Sequence, residues 1–180
     1  MHDTALEIGK AFFDIYWHPS FGSILDVGSK DVNGSLRSIA PKNSIYVGMD
    51  QESGKGVDVI SNRFPFKDES FDCIISSSCF EHDPMFWVTF IGCCRVLKPE
   101  GFIYINAPSN GPVHNHPVDC WRFYPDAGYA LEKWAFQKGF RLSLIESFTA
   151  KSKKDVWNDY VMVFGKGRVR PTRFLKDIFK

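Results

Sequence analysis

The chain has 180 residues, with 22 Lys and Arg against 21 Asp and Glu and a net charge of +1, which argues against a nucleic-acid binder. Apolar residues make up 44% and charged residues 24%, the balance of an ordinary globular domain rather than a disordered chain. No apolar run approaches the roughly 20 residues of a membrane-spanning helix. Met1-His2-Asp3-Thr4 is not a basic start followed by an apolar stretch, so no secretory signal is expected and a cytoplasmic location follows.

The first predicted element is an amphipathic helix over Thr4 to Trp17, with Leu6, Ile8, Phe12, Phe13 and Tyr16 at helical intervals and the His18-Pro19 step as its stop. Five short apolar runs then read as buried strands: Ser23 to Val27, Ile45 to Met49, Val57 to Ile60, Phe71 to Ser76 and Phe102 to Asn106. Pro84 to Leu97 reads as a helix with Phe86, Phe90, Ile91, Cys94 and Leu97 on one face, stopped by Lys98-Pro99-Glu100-Gly101. Pro125 to Lys138 is a further helix, with Gly139 at its C-terminal cap. Strands follow near Arg141 to Phe148 and Asp159 to Phe164, joined by a loop without helical pattern, which suits an antiparallel pair. Strand–helix alternation over most of the chain predicts an α/β fold with a parallel sheet.

The five cysteines are odd in number and lack paired spacing, so they read as reduced, mostly buried thiols rather than a disulfide or zinc framework. The last fifteen residues carry six basic side chains against Asp177, a local +5 that leaves the rest at −4. Within this tail, Arg168 to Lys180 pairs Phe174, Leu175, Ile178 and Phe179 with basic residues. Two readings compete: a cationic helix on an anionic membrane surface, or a terminal helix packed on the domain. The packed helix is preferred.

In open parallel sheets, ligands bind beyond the carboxyl ends of the strands, where strand order reverses. Polar residues cluster at these points. Asp26, Gly28 and Ser29 follow the first strand, Asp50 and Gln51 the second and Asn62 the third. Ser77, Ser78, Glu81 and His82 follow the fourth, and Pro108 to Asn110 the fifth. A carboxylate at the position of Asp50 is suited to a ribose diol. A nicotinamide-dependent oxidoreductase would need Gly-x-Gly-x-x-Gly after the first strand, and Lys30 and Asp31 break that pattern.

The order of motifs resembles the class I S-adenosylmethionine-dependent methyltransferases, type 11 in particular. The resemblance runs from about Ile24 to Gly139. It is carried by Phe64-Pro65-Phe66-Lys67-Asp68-Glu69-Ser70-Phe71-Asp72, by Glu81-His82 and by Arg95-Val96-Leu97-Lys98-Pro99-Glu100-Gly101-Phe102. Asp119-Cys120-Trp121-Arg122-Phe123-Tyr124-Pro125-Asp126-Ala127 is similar to an element of a subset of that family. The resemblance implies a Rossmann-like, mostly parallel seven-stranded sheet with an antiparallel last strand and helices on both faces. It implies one domain over 1–166 followed by a basic tail, and S-adenosylmethionine as cofactor. Asp26, Gly28, Ser29 and Ser77 are then expected beside the methionine moiety, Asp50 at the ribose, and Gln51 and Asn62 at the adenine.

Two departures stand out. The glycine-rich loop reads Asp26-Val27-Gly28-Ser29-Lys30-Asp31-Val32-Asn33-Gly34, with Lys30 and Val32 where the family has glycine. The Gln51 to Gly56 link is too short for a usual parallel crossover, so the helix there is lost or the third strand is a frayed edge.

The expected activity is methyl transfer to an oxygen or nitrogen of a small polar metabolite such as a sugar. The alternative is a non-catalytic binding module with this fold. His82 is the first candidate general base and Glu81 the second; both could instead start the next helix, the preferred reading for Glu81. The Ala107 to Tyr124 loop is expected to form a lid, with Asp119 and Arg122 paired, Trp121 and Phe123 inside and His116 or His114 touching the acceptor. His114-x-His116 with Asp119 has metal-ligand types, but without a supporting outer shell no metal is expected. The residues leave the oligomeric state open.

Overall fold

A computed structural model describes residues 3–151, 156–167 and 171–180. Helix α1 (Asp3–Tyr16) leads into strand β1 (Ser23–Val27), followed by β2 (Ile45–Asp50), β3 (Val59–Ile60) and β4 (Phe71–Ser77). Helix α2 (Phe86–Val96), strand β5 (Leu97–Pro108), helix α3 (Asp126–Gln137), strands β6 (Ser143–Ala150) and β7 (Asp159–Gly165) and the single turn α4 (Lys176–Phe179) complete the chain. The seven strands lie in the order β3-β2-β1-β4-β5-β7-β6. All neighbours pair in parallel except β7, which is antiparallel to both β5 and β6. This is the expected Rossmann-like sheet.

Side-chain alternation divides the core into two layers. Ile74, Ile103, Ile105, Tyr160, Met162 and Phe164 point to the face covered by α2 and α3. Their neighbours Cys73, Ile75, Phe102, Tyr104, Val161 and Val163 point to the face covered by α1. On that second face, Phe12 lies stacked on Tyr104 with ring centroids 4.7 Å apart.

Several motif residues prove to be joints of the framework. Asp72, at the start of β4, accepts hydrogen bonds from Gly22 N, Ser23 N and Ser23 Oγ and an ion pair from Lys98. It thereby aligns the starts of β1 and β4. Arg95 donates to the carbonyls of Phe64 and Phe66, binding the loop before β4 to the end of α2.

Some expectations shift. Leu97 begins β5 directly after α2 instead of ending the helix. Only two residues of the third strand pair with β2, and no helix fills the link from 51 to 58. Three cysteines are buried, but Cys120 is exposed. In the tail, Arg168, Val169 and Arg170 lie outside the described residues. Beyond them Leu175 is fully buried, and its N–H, with that of Lys176, donates to the buried Glu146 carboxylate on β6. Tyr16 Oη donates to the same carboxylate, joining α1, β6 and the tail. No helix among the described residues is long and apolar enough to cross a membrane.

Candidate active site

β1 leads to β2 on one side, whereas β4 lies on the other, so strand order reverses between β1 and β4. A cleft of about 980 Å³ opens there, beyond the carboxyl ends of the strands. It gathers all nine sequence-predicted site residues: Asp26, Gly28, Ser29, Asp50, Gln51, Asn62, Ser77, His82 and His116.

At the β1 end, Gly28 has φ +79° and stands against Cys79; an added Cβ would lie 2.3 Å from Cys79 Sγ. Glycine is needed there both for the left-handed backbone and for the close approach of the two strand ends. Gly28 N and Ser29 N donate to Met49 O, locking the loop to β2. Asp26 is buried and accepts from Tyr46 Oη at 2.6 Å. Burial pushes its carboxyl up to about 6.

The variant loop follows its own path. Lys30 N donates to Asp50 Oδ2 at 3.0 Å, and Glu52 N to Asp50 Oδ1 at 3.1 Å. The Lys30 ammonium pairs with Glu52 at 2.7 Å, with its stem along Gly54. Asp31 Oδ1 then accepts from Gly34 N, closing a turn, and Ser35 caps a 3-10 turn over Leu36–Ile39. Lys30 therefore supplies the same kind of backbone contact a glycine would, with its side chain held at the rim.

The other end of the cleft belongs to β4 and the loop after β5. Glu81 and His82 sit in a 3-10 turn (Phe80–His82), four residues ahead of α2, so Glu81 does not start that helix. Glu81 is 1% exposed, and burial pushes its carboxyl up to about 8. Its backbone carbonyl accepts from both Cys120 N and Trp121 N, tying the loop to the turn.

Asp119 and Arg122 pair as expected, through two bonds of 2.6 and 2.7 Å. The guanidinium holds the Asp119 carboxyl well below the usual carboxylate range. Phe123 is buried, but Trp121 is not: it rests against Phe86 and Trp87 at the surface and donates its indole N–H to Asp83 O. An indole N–H needs an acceptor, and the turn carbonyl at the surface provides one.

His82, His114 and His116 converge, with ring centroids 4.9 Å apart for the first pair and 6.0 Å for His82 and His116. In the sequence His82 stands apart from the His114-x-His116 pair, so neither their meeting nor the burial of Glu81 was expected. The Glu81-His82 and His114-x-His116 pairs were the visible signals.

The family model for the methyltransferase domain matches residues 34–105, beginning at the last residue of the variant loop. Over those residues the chain is similar to the methyltransferase domain family. Methyltransferase structures share its fold. The 1,6-didemethyltoxoflavin N1-methyltransferase of Burkholderia thailandensis superposes with a TM-score of 0.70 at 16% identity, covering 92% of this chain and 79% of that one. An S-adenosylmethionine-dependent methyltransferase from Archaeoglobus fulgidus gives 0.62 at 17% identity, covering 89% and 94%. A putative sarcosine dimethylglycine methyltransferase from Galdieria sulphuraria gives 0.60 at 16%, covering 92% and 85%. A comparison with curated protein sequences gave no match.

The cleft fits S-adenosylmethionine, the cofactor that the sequence resemblance implies. Each Asp50 oxygen takes one backbone N–H, leaving lone pairs for two hydroxyls. Ser77 Oγ, at the end of β4, is buried without a partner.

Proposed function

We propose that the chain transfers the methyl group of S-adenosylmethionine to an oxygen or nitrogen atom of a small polar metabolite, such as a sugar, in the cytoplasm. The observation that carries this reading is the anchored Asp50 carboxylate in one cleft with Gly28 and the unpartnered Ser77 hydroxyl. Asp50 would hold the ribose hydroxyls, Gln51 and Asn62 the adenine, and the backbone and side chains of Asp26 to Ser29 and Ser77 the methionine end. The bound cofactor supplies an electrophilic methyl on a sulfonium.

The protein's part is alignment in a walled site. The acceptor end is lined by Glu81, His82, His114 and His116, which favours a polar acceptor. His82 Nδ1 lies 2.5 Å from Val118 O, an acceptor that fixes the proton on Nδ1 and leaves the Nε2 lone pair to take a proton from the acceptor.

Calorimetric titration with S-adenosylhomocysteine tests the reading. Micromolar binding is expected in the wild type, with at least a tenfold loss in Asp50→Ala. A folded wild-type chain that takes up no S-adenosylhomocysteine would instead be a binding module that keeps the fold without the chemistry.

A further inference from the structure

We propose that Glu81, His82 and His114 form a binding site for a divalent transition-metal cation at the acceptor end of the cleft. The three residues each offer one ligand atom, and these atoms lie within 4.8 Å of one another. Two imidazoles and a carboxylate, with no thiolate, suit zinc, iron, cobalt, nickel or manganese rather than magnesium or calcium. Bonds of about 2.1 Å in a tetrahedron place ligand atoms about 3.4 Å apart. His82 Nε2 and Glu81 Oε1 already stand at 3.6 Å.

The surroundings are those of a ligand set. His82 Nδ1 is engaged by the Val118 carbonyl at 2.5 Å, and His114 Nδ1 by Asp119 Oδ2 at 3.2 Å. Both rings are thereby left with Nε2 as the ligating nitrogen. Asp119 is itself clamped by Arg122. A carboxylate behind a histidine is the usual outer shell of a metal site. Asp119 thus supports a ligand instead of being one.

The carboxylate supplies an independent observation. Glu81 is 1% exposed, yet its Oε2 is buried with no hydrogen-bond partner. A plain Glu81–His82 pair would close to hydrogen-bond distance and satisfy both groups; at 3.6 Å this one does neither. An unsatisfied buried oxygen costs about 1–3 kcal/mol, and a cation seated among the three residues removes that cost. His116, with its ring 6.3 Å from that of His114, stands beside the site.

The chemical consequence rests on the methyl-transfer reading. A cation with an open position acts as a Lewis acid on a hydroxyl acceptor. The acceptor O–H gives its proton to solvent, the oxygen forms the O–C bond as the C–S bond breaks, and the sulfonium becomes a neutral thioether. His82 is then a ligand and not the base, and acceptors bearing a hydroxyl are preferred over amines.

The test strips the purified protein with a chelator and titrates it with Co(II), following d–d absorption, with S-adenosylhomocysteine binding measured in parallel. One saturating equivalent is expected. Its affinity should fall at least tenfold in His82→Ala and in His114→Ala, and about 10–100-fold in the milder Asp119→Asn, while S-adenosylhomocysteine still binds. No saturable uptake by a chain that binds S-adenosylhomocysteine overturns the site. So does uptake indifferent to these variants, or a thiolate charge-transfer band from Cys120. Cobalt uptake lost in the variants, in a chain that takes up no S-adenosylhomocysteine, supports the metal site and removes the methyl-transfer reading.

Discussion

Asp26 shows how a single buried carboxylate can make stability depend on pH. Its ordinary value is 3.8, and burial raises it to about 6 against the opposing hydrogen bond from Tyr46. Between those values the folded state holds more protons than the unfolded state, so stability falls as pH rises through the window, and the full penalty is present above about 6. Asp26→Asn keeps an oxygen to accept from Tyr46 and has no charge to bury. In urea denaturation this variant is expected to match the wild type near pH 4 and exceed it at pH 7 by up to about 3 kcal/mol. An unchanged difference across that range would rule the account out. At this scale the sequence was partly legible: position at or beyond the carboxyl end of a strand was enough to single out Asp26, Asp50 and His82. The buried state of Glu81 was not, because the loop that covers it arrives about forty residues later.

Among elements, the junction between the end of β1 and the segment after β4 is closely fitted. Gly28→Ala would combine strain at φ +79° with a Cβ 2.3 Å from Cys79 Sγ. Overpacking of this kind costs about 1–3 kcal/mol, so a thermal midpoint several degrees lower is expected, together with weaker S-adenosylhomocysteine binding. Adding Cys79→Ala to the variant should restore part of the midpoint, because the sulfur is the atom in the way. Strand positions were readable from β-branched and aromatic runs. The path of the loop from Ser29 to Ser35 was not. Its lysine replaces a glycine, and only the pairing of Lys30 with Glu52 and of its N–H with Asp50 shows how the exchange is tolerated.

Across the whole molecule, the tail is part of the second core layer. Leu175 is fully buried, and the Glu146 carboxylate gathers Tyr16, Leu175 and Lys176. Leu175→Ala is expected to destabilise the chain by about 2–5 kcal/mol. Urea unfolding followed by tryptophan fluorescence should show this as one shifted transition; a separate early transition would mean the tail melts alone. The amphipathic pattern announced a face to be covered but could not say by what. Glu146 answers that question, and it lies about thirty residues earlier, on β6.

The reversed strand β7 also sets an order of assembly. Because it runs against its neighbours, its beginning stands at the carboxyl ends of the parallel strands. Ser109 N donates to Asn158 O, Asn158 N to Asn110 Oδ1, and the Trp157 ring lies 4.7 Å from that of His114. The loop after β5, with His114, is thus fastened by residues from the last fifth of the chain. During synthesis, which proceeds from the N-terminus, the segments around Asp26 and Asp50 leave the ribosome early. The acceptor end waits for β7 to slide between β5 and β6. A nascent chain halted before β7 would hold the half proposed to grip a nucleoside and lack the half proposed to choose what is modified.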